Sequence, residues 1–193
     1  MYTIFGDFLQ DLPNSQEYLI LSFSSSSISL QKRWRNNCLS ADFLADYLST
    51  FLLSTDYSDK NKGKYLEVKS AISYIANELL ENAMKYSNKM SKLPISIQVH
   101  LNFNQLIFQI TNSLEDQNLK KFQQYIQNAI VSDPNQLYLD ILEQNAFEED
   151  KDSSGLGFLT MVNDYDAKIG WKFEAISQES TEMIVTTMVR LQV

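Results

Sequence analysis

The stretch Glu78-Leu-Leu-Glu-Asn82-Ala-Met-Lys85-Tyr86-Ser87 lies inside a helical pattern that runs from Tyr65 to Tyr86. A helix advances about 100° per residue. On that wheel Ile72, Ile75, Ala76, Leu79, Leu80 and Ala83 share one face, which is the core face. Glu78 and Asn82 are four positions apart and so are neighbours, and Lys85 continues their row one turn on. Glu81 points about 100° away from Asn82, toward solvent. A carboxylate, an amide oxygen and an ammonium therefore line up beside the core. Two readings stay open for the helix alone. The row is a solvated boundary with a Glu-to-Lys contact, or it holds a hard cation and its waters beside a phosphate, which suits the oxygen-only tastes of Mg²⁺.

The segments around this helix set the fold class. Leu93 to Val99 and Gln105 to Asn112 alternate apolar and polar residues and predict a hairpin turning at Asn102 to Asn104. Lys168 to Ile176 and Met183 to Val193 predict a second hairpin. Residues 115–145 read as one or two helices, broken near Asp133-Pro134. Toward the N-terminus, residues 18–30 read as a strand with a serine-rich turn, followed by a short second strand. The run Lys32 to Asn37, KRWRNN, reads as the solvated start of a helix. Ser40 to Leu53 is apolar at helical spacing, with Phe43, Leu44, Tyr47, Leu48 and Phe51 expected on a core face. Residues 55–64 read as a polar loop. Helices interleaved with hairpins predict a two-layer α+β sandwich, with a mixed, mainly antiparallel sheet and helices on one face.

A second feature stands out because the chain has only five glycines. Two of them, Gly155 and Gly157, fall in SGLGF, just before a helical run. A helix N-terminus offers free N–H groups and the positive end of its dipole, and glycine permits close backbone approach. Ser153 or Ser154 is placed to cap that helix or to meet a phosphate. The alternative is a plain flexible turn. The acidic run Glu148 to Asp152 precedes the loop and opposes an anion unless it faces away or Lys151 and Mg²⁺ offset it.

The totals exclude several classes. The 193 residues suit one domain, and 44% hydrophobic content suits a packed core. Sixteen basic against 24 acidic residues give a net charge of -8, the wrong sign for a general nucleic-acid binder. No apolar run approaches the roughly 20 residues of a membrane span, and the N-terminus lacks the pattern of a secretory signal. One cysteine, Cys38, and one histidine, His100, leave no thiolate or multi-histidine metal site. His100, near the end of a predicted strand, reads as structural. The expectation is a cytoplasmic protein.

With these residues in place, the chain resembles the GHKL superfamily of ATPases, which includes gyrase, the heat-shock chaperone, histidine kinases and mismatch-repair ATPases. Glu78 to Tyr86 resembles its N-box, and Gly155-Leu156-Gly157-Phe158 resembles its second glycine box. The likeness covers about Lys64 to the C-terminus. It implies a Bergerat-type ATP-binding fold over 64–193, with a lid at about 113–154, and ATP and Mg²⁺ as ligands. Asn82 would then hold Mg²⁺, with Glu78 beside it. Glu78 would orient or activate a hydroxyl, and Lys85 and Tyr86 would approach the nucleotide. Ser154, Gly155, Leu156 and Gly157 would close over the phosphates.

The small one-domain members, similar to bacterial anti-sigma-factor serine/threonine kinases and related partner-switching regulators, are the nearest likeness. They imply a protein partner that is phosphorylated or sequestered, with residues 1–60 as a partner or homodimer element. The chain departs from the pattern at Thr111-Asn112-Ser113-Leu114-Glu115, where the superfamily has Asp-x-Gly-x-Gly. Asn112 stands in for the adenine-contacting aspartate, as a weaker acceptor. The Gly-Thr before the last strand is also missing, with Thr181 alone nearby. Two functions follow: a Mg-ATP-dependent regulator that controls a partner by docking or phosphorylation, and a degenerate, nucleotide-free interaction module on the same fold.

Overall fold

The computed structural model describes residues 2–15, 17–24, 30–52, 59–114, 116–147, 155–176 and 182–193. In chain order the elements are β1 (Tyr2–Gly6), β2 (Glu17–Phe23), α1 (Leu30–Leu52), α2 (Asp59–Tyr86), β3 (Ile95–Asn102), β4 (Gln105–Leu114), α3 (Asp116–Val131), α4 (Pro134–Phe147), α5 (Leu156–Tyr165), β5 (Lys168–Ala175) and β6 (Met183–Gln192). The architecture is the expected α+β sandwich. Its six strands run in the order β1-β5-β6-β4-β3-β2. The sheet was expected to be mixed and mainly antiparallel; all five strand pairings are antiparallel. Both predicted hairpins form, and the helical break falls at Pro134, which begins α4.

The boundaries shift where polarity misleads. Helix α2 starts at Asp59, inside the run expected to be a loop. A helix end that faces water is as polar as a loop, and Lys and Glu are good helix formers. Helix α1 begins at Leu30, so KRWRNN forms its opening turns as expected. Residues 25–29, where a serine turn and second short strand were expected, lie outside the described residues. Strand β1 was not anticipated. Five residues carry too little periodicity to read, and its place is fixed by β5, where Tyr2 pairs with Glu174 and Gly6 with Gly170.

The core lies between the α1–α2 pair and the inner sheet face. Ala41, Leu44, Ala45 and Leu48 of α1 meet the predicted α2 face of Ile72, Ile75, Ala76, Leu79, Leu80 and Ala83. Small residues at four of these positions let the helix backbones approach closely. Below them, alternate residues of the strands point inward: Ile97 and Val99 from β3, Phe108 and Ile110 from β4, Trp171 and Phe173 from β5, and Val185 and Val189 from β6. Fully burying one such side chain contributes roughly 1.5–3 kcal/mol. Phe43 and Phe51 depart from expectation: they are 50% and 43% exposed. Their spacing is helical, but the α1 stripe that meets α2 is the one through Ala41, Leu44 and Leu48.

The N-terminal strands occupy the two opposite edges of the sheet, so the chain between them must cross from one edge to the other. It does so on the outer face. The backbone at Asp7 and Phe8 passes so close to Gly170 that any Cβ there would lie 2.4 Å from the Phe8 nitrogen. Only glycine fits. The Asp7 carboxylate pairs with Arg190, the Leu9 N–H donates to the Met188 sulfur, and Ser15 hydrogen-bonds His100 Nδ1 at 2.8 Å. His100 also stacks on Tyr18. Burial holds its pKa below the usual histidine range. It has the structural role expected of it.

Candidate functional site

The last turns of α2 lie across the inner ends of β4 and β6. Strand alternation aims Ile110, Asn112 and Leu114 of β4 at this helix. On the neighbouring strand, Val185 pairs with Asn112 and Thr187 with Ile110. Asn112 and Thr187 are thus diagonal neighbours on one face, each 4% exposed. Asn82 and Tyr86 reach the same spot from above. The four polar residues enclose a small pocket, and two aromatic rings close its side: Phe122 from α3 and Phe158 from α5. The Asn112 amide donates to the Ser113 carbonyl at 2.9 Å.

The aromatic side of the pocket is an ordered stack. Phe122 lies 6.3 Å from Phe158, 6.5 Å from Trp171 and 5.9 Å from Phe173, measured between ring centroids. Phe158 also meets Trp171 edge-on at 5.6 Å. Such pairs contribute about 0.5–1.5 kcal/mol each beyond their burial. Tyr125, one turn along α3, adds a polar tie: its hydroxyl donates to the Gly155 carbonyl at 2.8 Å. Burial pushes the Tyr125 hydroxyl up to about 12, with the nearby Tyr86 adding to the effect. Helix α3 is therefore fastened to the start of α5 and to the sheet at once.

The second glycine element has a specific contact. Gly155 is the N-cap of α5, in the left-handed region with φ 61°, and no side chain caps the helix. Leu156 and Gly157 form its first turn. A Cβ on Gly157 would lie 2.1 Å from Glu78 Oε2 and 3.1 Å from the carboxyl carbon. The Glu78 carboxylate thus sits directly on the Gly157 backbone, at the N-terminal end of α5. Burial raises its pKa, and the charge of Glu81 adds to the rise. Tyr74, one turn earlier on α2, has its pKa raised chiefly by burial and hydrogen-bonds Thr160 of α5.

The predicted residues are therefore brought together in part. Asn82, Tyr86 and Asn112 share one pocket, and Glu78 meets Gly157 beside it. Lys85 is exposed, with its ammonium 5.6 Å from the centroid of the Tyr86 ring and outside the pocket lining. Ser154 and the acidic run Glu148 to Asp152 lie outside the described residues. Over 113–154, where a lid was expected, the described residues form the end of β4 and helices α3 and α4. Thr187 was not singled out from sequence; Thr181 was, and it too lies outside the described residues. The signal for Thr187 was present: it is the one polar residue among the inward positions Val185, Thr187 and Val189 of β6.

The cavity among these residues measures about 40 Å³. That is room for about one water molecule, against roughly 300–1,000 Å³ for a small-molecule site. Phe122 and Phe158 line the same cavity as Asn112 and leave little open space beside it. The arrangement is that of a packed seam. Among the described residues no group of three or more His, Cys, Asp and Glu side chains converges on a metal position. No described helix is long and apolar enough to cross a membrane.

No protein-family model matches the chain, and no curated protein matches it in sequence. Among solved structures, it is similar to a chain from the crystal structure of the SiaB-SiaC complex from Pseudomonas aeruginosa. The match has a TM-score of 0.59 at 13% identity and covers 90% of this chain and 89% of that one. At that identity the likeness is one of fold.

Proposed function

We propose that this chain is a regulatory interaction module that acts by docking on a protein partner, with a GHKL-like fold whose nucleotide pocket is filled by its own side chains. The observation that carries this reading is the pocket of about 40 Å³, in which Phe122 and Phe158 sit against Asn82, Asn112 and Thr187. The missing first glycine box at Thr111 to Glu115 supports it from the sequence. The fold likeness to a chain crystallised in a two-protein complex supports a protein partner, and a bacterial signalling role in the style of partner switching fits both.

A second reading is favoured by one observation, the convergence of Asn82, Asn112 and Thr187 on a single spot. It makes the chain a Mg-ATP-binding regulator, and on the strongest form a serine/threonine kinase. Asn82 and Glu78 would be the metal side, Glu78 the residue that orients a hydroxyl, and Lys85 and the Gly155–Gly157 backbone the phosphate side. This reading requires Phe122 to leave the pocket.

Thermal unfolding with and without millimolar Mg-ATP separates the two, because a ligand that binds only the folded state raises its stability. The docking reading expects no shift. A rise of about 2.7 kcal/mol in stability, the value for ligand at roughly a hundred times its dissociation constant, together with loss of that rise in Asn82→Ala, would establish the second reading. Transfer of labelled phosphate to a co-purified partner would then distinguish kinase from sensor.

A further inference from the structure

A groove lies toward the other end of α2 from the sealed pocket. It runs between residues 66–71 of α2, the end of α5 and the end of β6, and it measures about 500 Å³. That is within the roughly 300–1,000 Å³ of small-molecule sites. Ser70 and Ala71 are small where α2 passes α5, and they leave this room. Ala71 and Leu191, each 4% exposed, give the groove an apolar floor. The ring of Tyr165 lines it too, and is held by the Tyr74 ring at 5.5 Å between centroids.

The charge of the groove has one sign. Glu67 of α2 and Asp164 of α5 both line it, and neither has an ion-pair partner among the described residues. No Lys or Arg is in the lining. Lys69 turns away to Asp46 of α1, and Lys64 and Lys168 are exposed outside the groove. Asp164 also stands against local preference. A helix C-terminus carries partial negative charge and favours a cation. Helix α5 has no basic residue in its last turn, carries Asp164 there and ends on Asp166 as its C-cap. Burial raises the Tyr165 pKa and the Asp164 charge adds to the rise, so the phenol stays neutral beside that carboxylate.

We propose that this groove binds a small organic cation, a primary ammonium or guanidinium carried on an apolar body. Glu67, Asp164 and the negative end of α5 answer its charge, and Ala71, Leu191 and the Tyr165 ring take its body. A bare metal ion suits the site less. Ca²⁺ takes about 6–8 oxygen ligands, and among the described residues no group of three or more His, Cys, Asp and Glu converges on a metal position. An apolar floor also offers a metal ion nothing. The inference is independent of whether nucleotide enters the sealed pocket.

An amide NMR titration of the full chain with phenethylamine tests it, with phenethyl alcohol as the neutral analogue. The amine should shift amides at residues 66–71, 164–165 and 191–192, with a dissociation constant on the order of 1 mM or below. The alcohol should bind about fivefold more weakly or worse, and added salt should weaken the amine alone. Glu67→Gln and Asp164→Asn, both at exposed positions, should each weaken the amine about threefold. Ser70→Phe, also exposed, should fill the groove and abolish the shifts. Glu143→Gln, exposed on α4 and outside the lining, removes the same charge and should change nothing. Circular dichroism checks that each variant keeps the fold. Silence of the groove amides would overturn the inference, as would equal binding of the alcohol. So would binding that survives in both carboxylate variants, or a loss as large in Glu143→Gln. Calcium chloride that moved these amides where the amine did not would make the groove a metal site and overturn it as well.

Discussion

Two aromatic clusters of similar composition do opposite things in this molecule. On α1, Phe43 and Phe51 contact Tyr47 along the helix and remain open to solvent, while Tyr47 itself is partly buried against the core. At the other end of α2, Phe122, Phe158, Trp171 and Phe173 stack across three elements and seal a pocket. The first cluster is local, since its members are four residues apart. The second joins residues from α3, α5 and β5 that the chain separates by dozens of positions. Local stacks order a surface. Long-range stacks tie elements together, and only they should be felt in the stability of the fold.

The largest expected effect breaks the sealed cluster. Phe122→Ala removes the ring that joins α3 to Phe158, Trp171 and Phe173, and should cost about 2–4 kcal/mol, since the site can relax only partly. Phe43→Ala in the open cluster should change stability by less than about 0.5 kcal/mol. Urea unfolding of both variants, followed by tryptophan fluorescence, measures the difference. Equal losses would mean that the open cluster is part of the core after all.

The same contrast explains how much was readable from sequence. The α2 face was legible because one helix period fixes it, and Ile72 through Ala83 are buried as expected. The hairpins were legible from alternation, and with them the inward aim of Asn112. What failed was the assignment of Phe43 and Phe51 to the core. Periodicity says that residues share a face, not which of two apolar stripes on a helix meets the rest of the fold. Nor could it tell that Phe122 and Phe158 would meet, because nothing in the chain between them encodes that contact. Glu78 and Gly157 were expected on the metal and phosphate sides of one nucleotide pocket, and the structure brings the carboxylate directly onto the Gly157 backbone. Thr187 went unread because its neighbour Thr186 hides the alternation.

A smaller effect sharpens the sealed side. The Tyr125 hydroxyl is the polar tie between α3 and the Gly155 carbonyl. Tyr125→Phe should cost about 1–2 kcal/mol, the usual loss when a buried acceptor is left without its donor. It should also change the alkaline limb. The folded pKa of about 12 lies above the usual tyrosine value of about 10, so the folded state holds the proton longer than the unfolded one. Stability must then fall as pH rises from about 10, where a free tyrosine titrates, toward the folded value. That fall should be shallower in Tyr125→Phe, as measured by urea midpoints across the window.

The smallest effect concerns Glu78, and its sign is opposite to that of the first two variants. Burial against Gly157 and the charge of Glu81 raise the carboxyl pKa in the folded state. A raised acid binds its proton more tightly when folded, so its effect on stability is absent below the unfolded pKa and turns unfavourable as pH rises through the folded one. Glu78→Gln keeps the shape and removes the charge. It should therefore melt higher than the wild type at neutral pH, and the two curves should converge near pH 4, about where a free glutamate is protonated. Identical curves at all pH values would mean that water screens the carboxylate fully and that the contact with Gly157 carries no electrostatic strain. A gain in stability would have a functional meaning of its own. A charge held at a helix N-terminus, at a cost that a neutral isostere removes, is the pattern of a site kept for what it does and not for what it holds together.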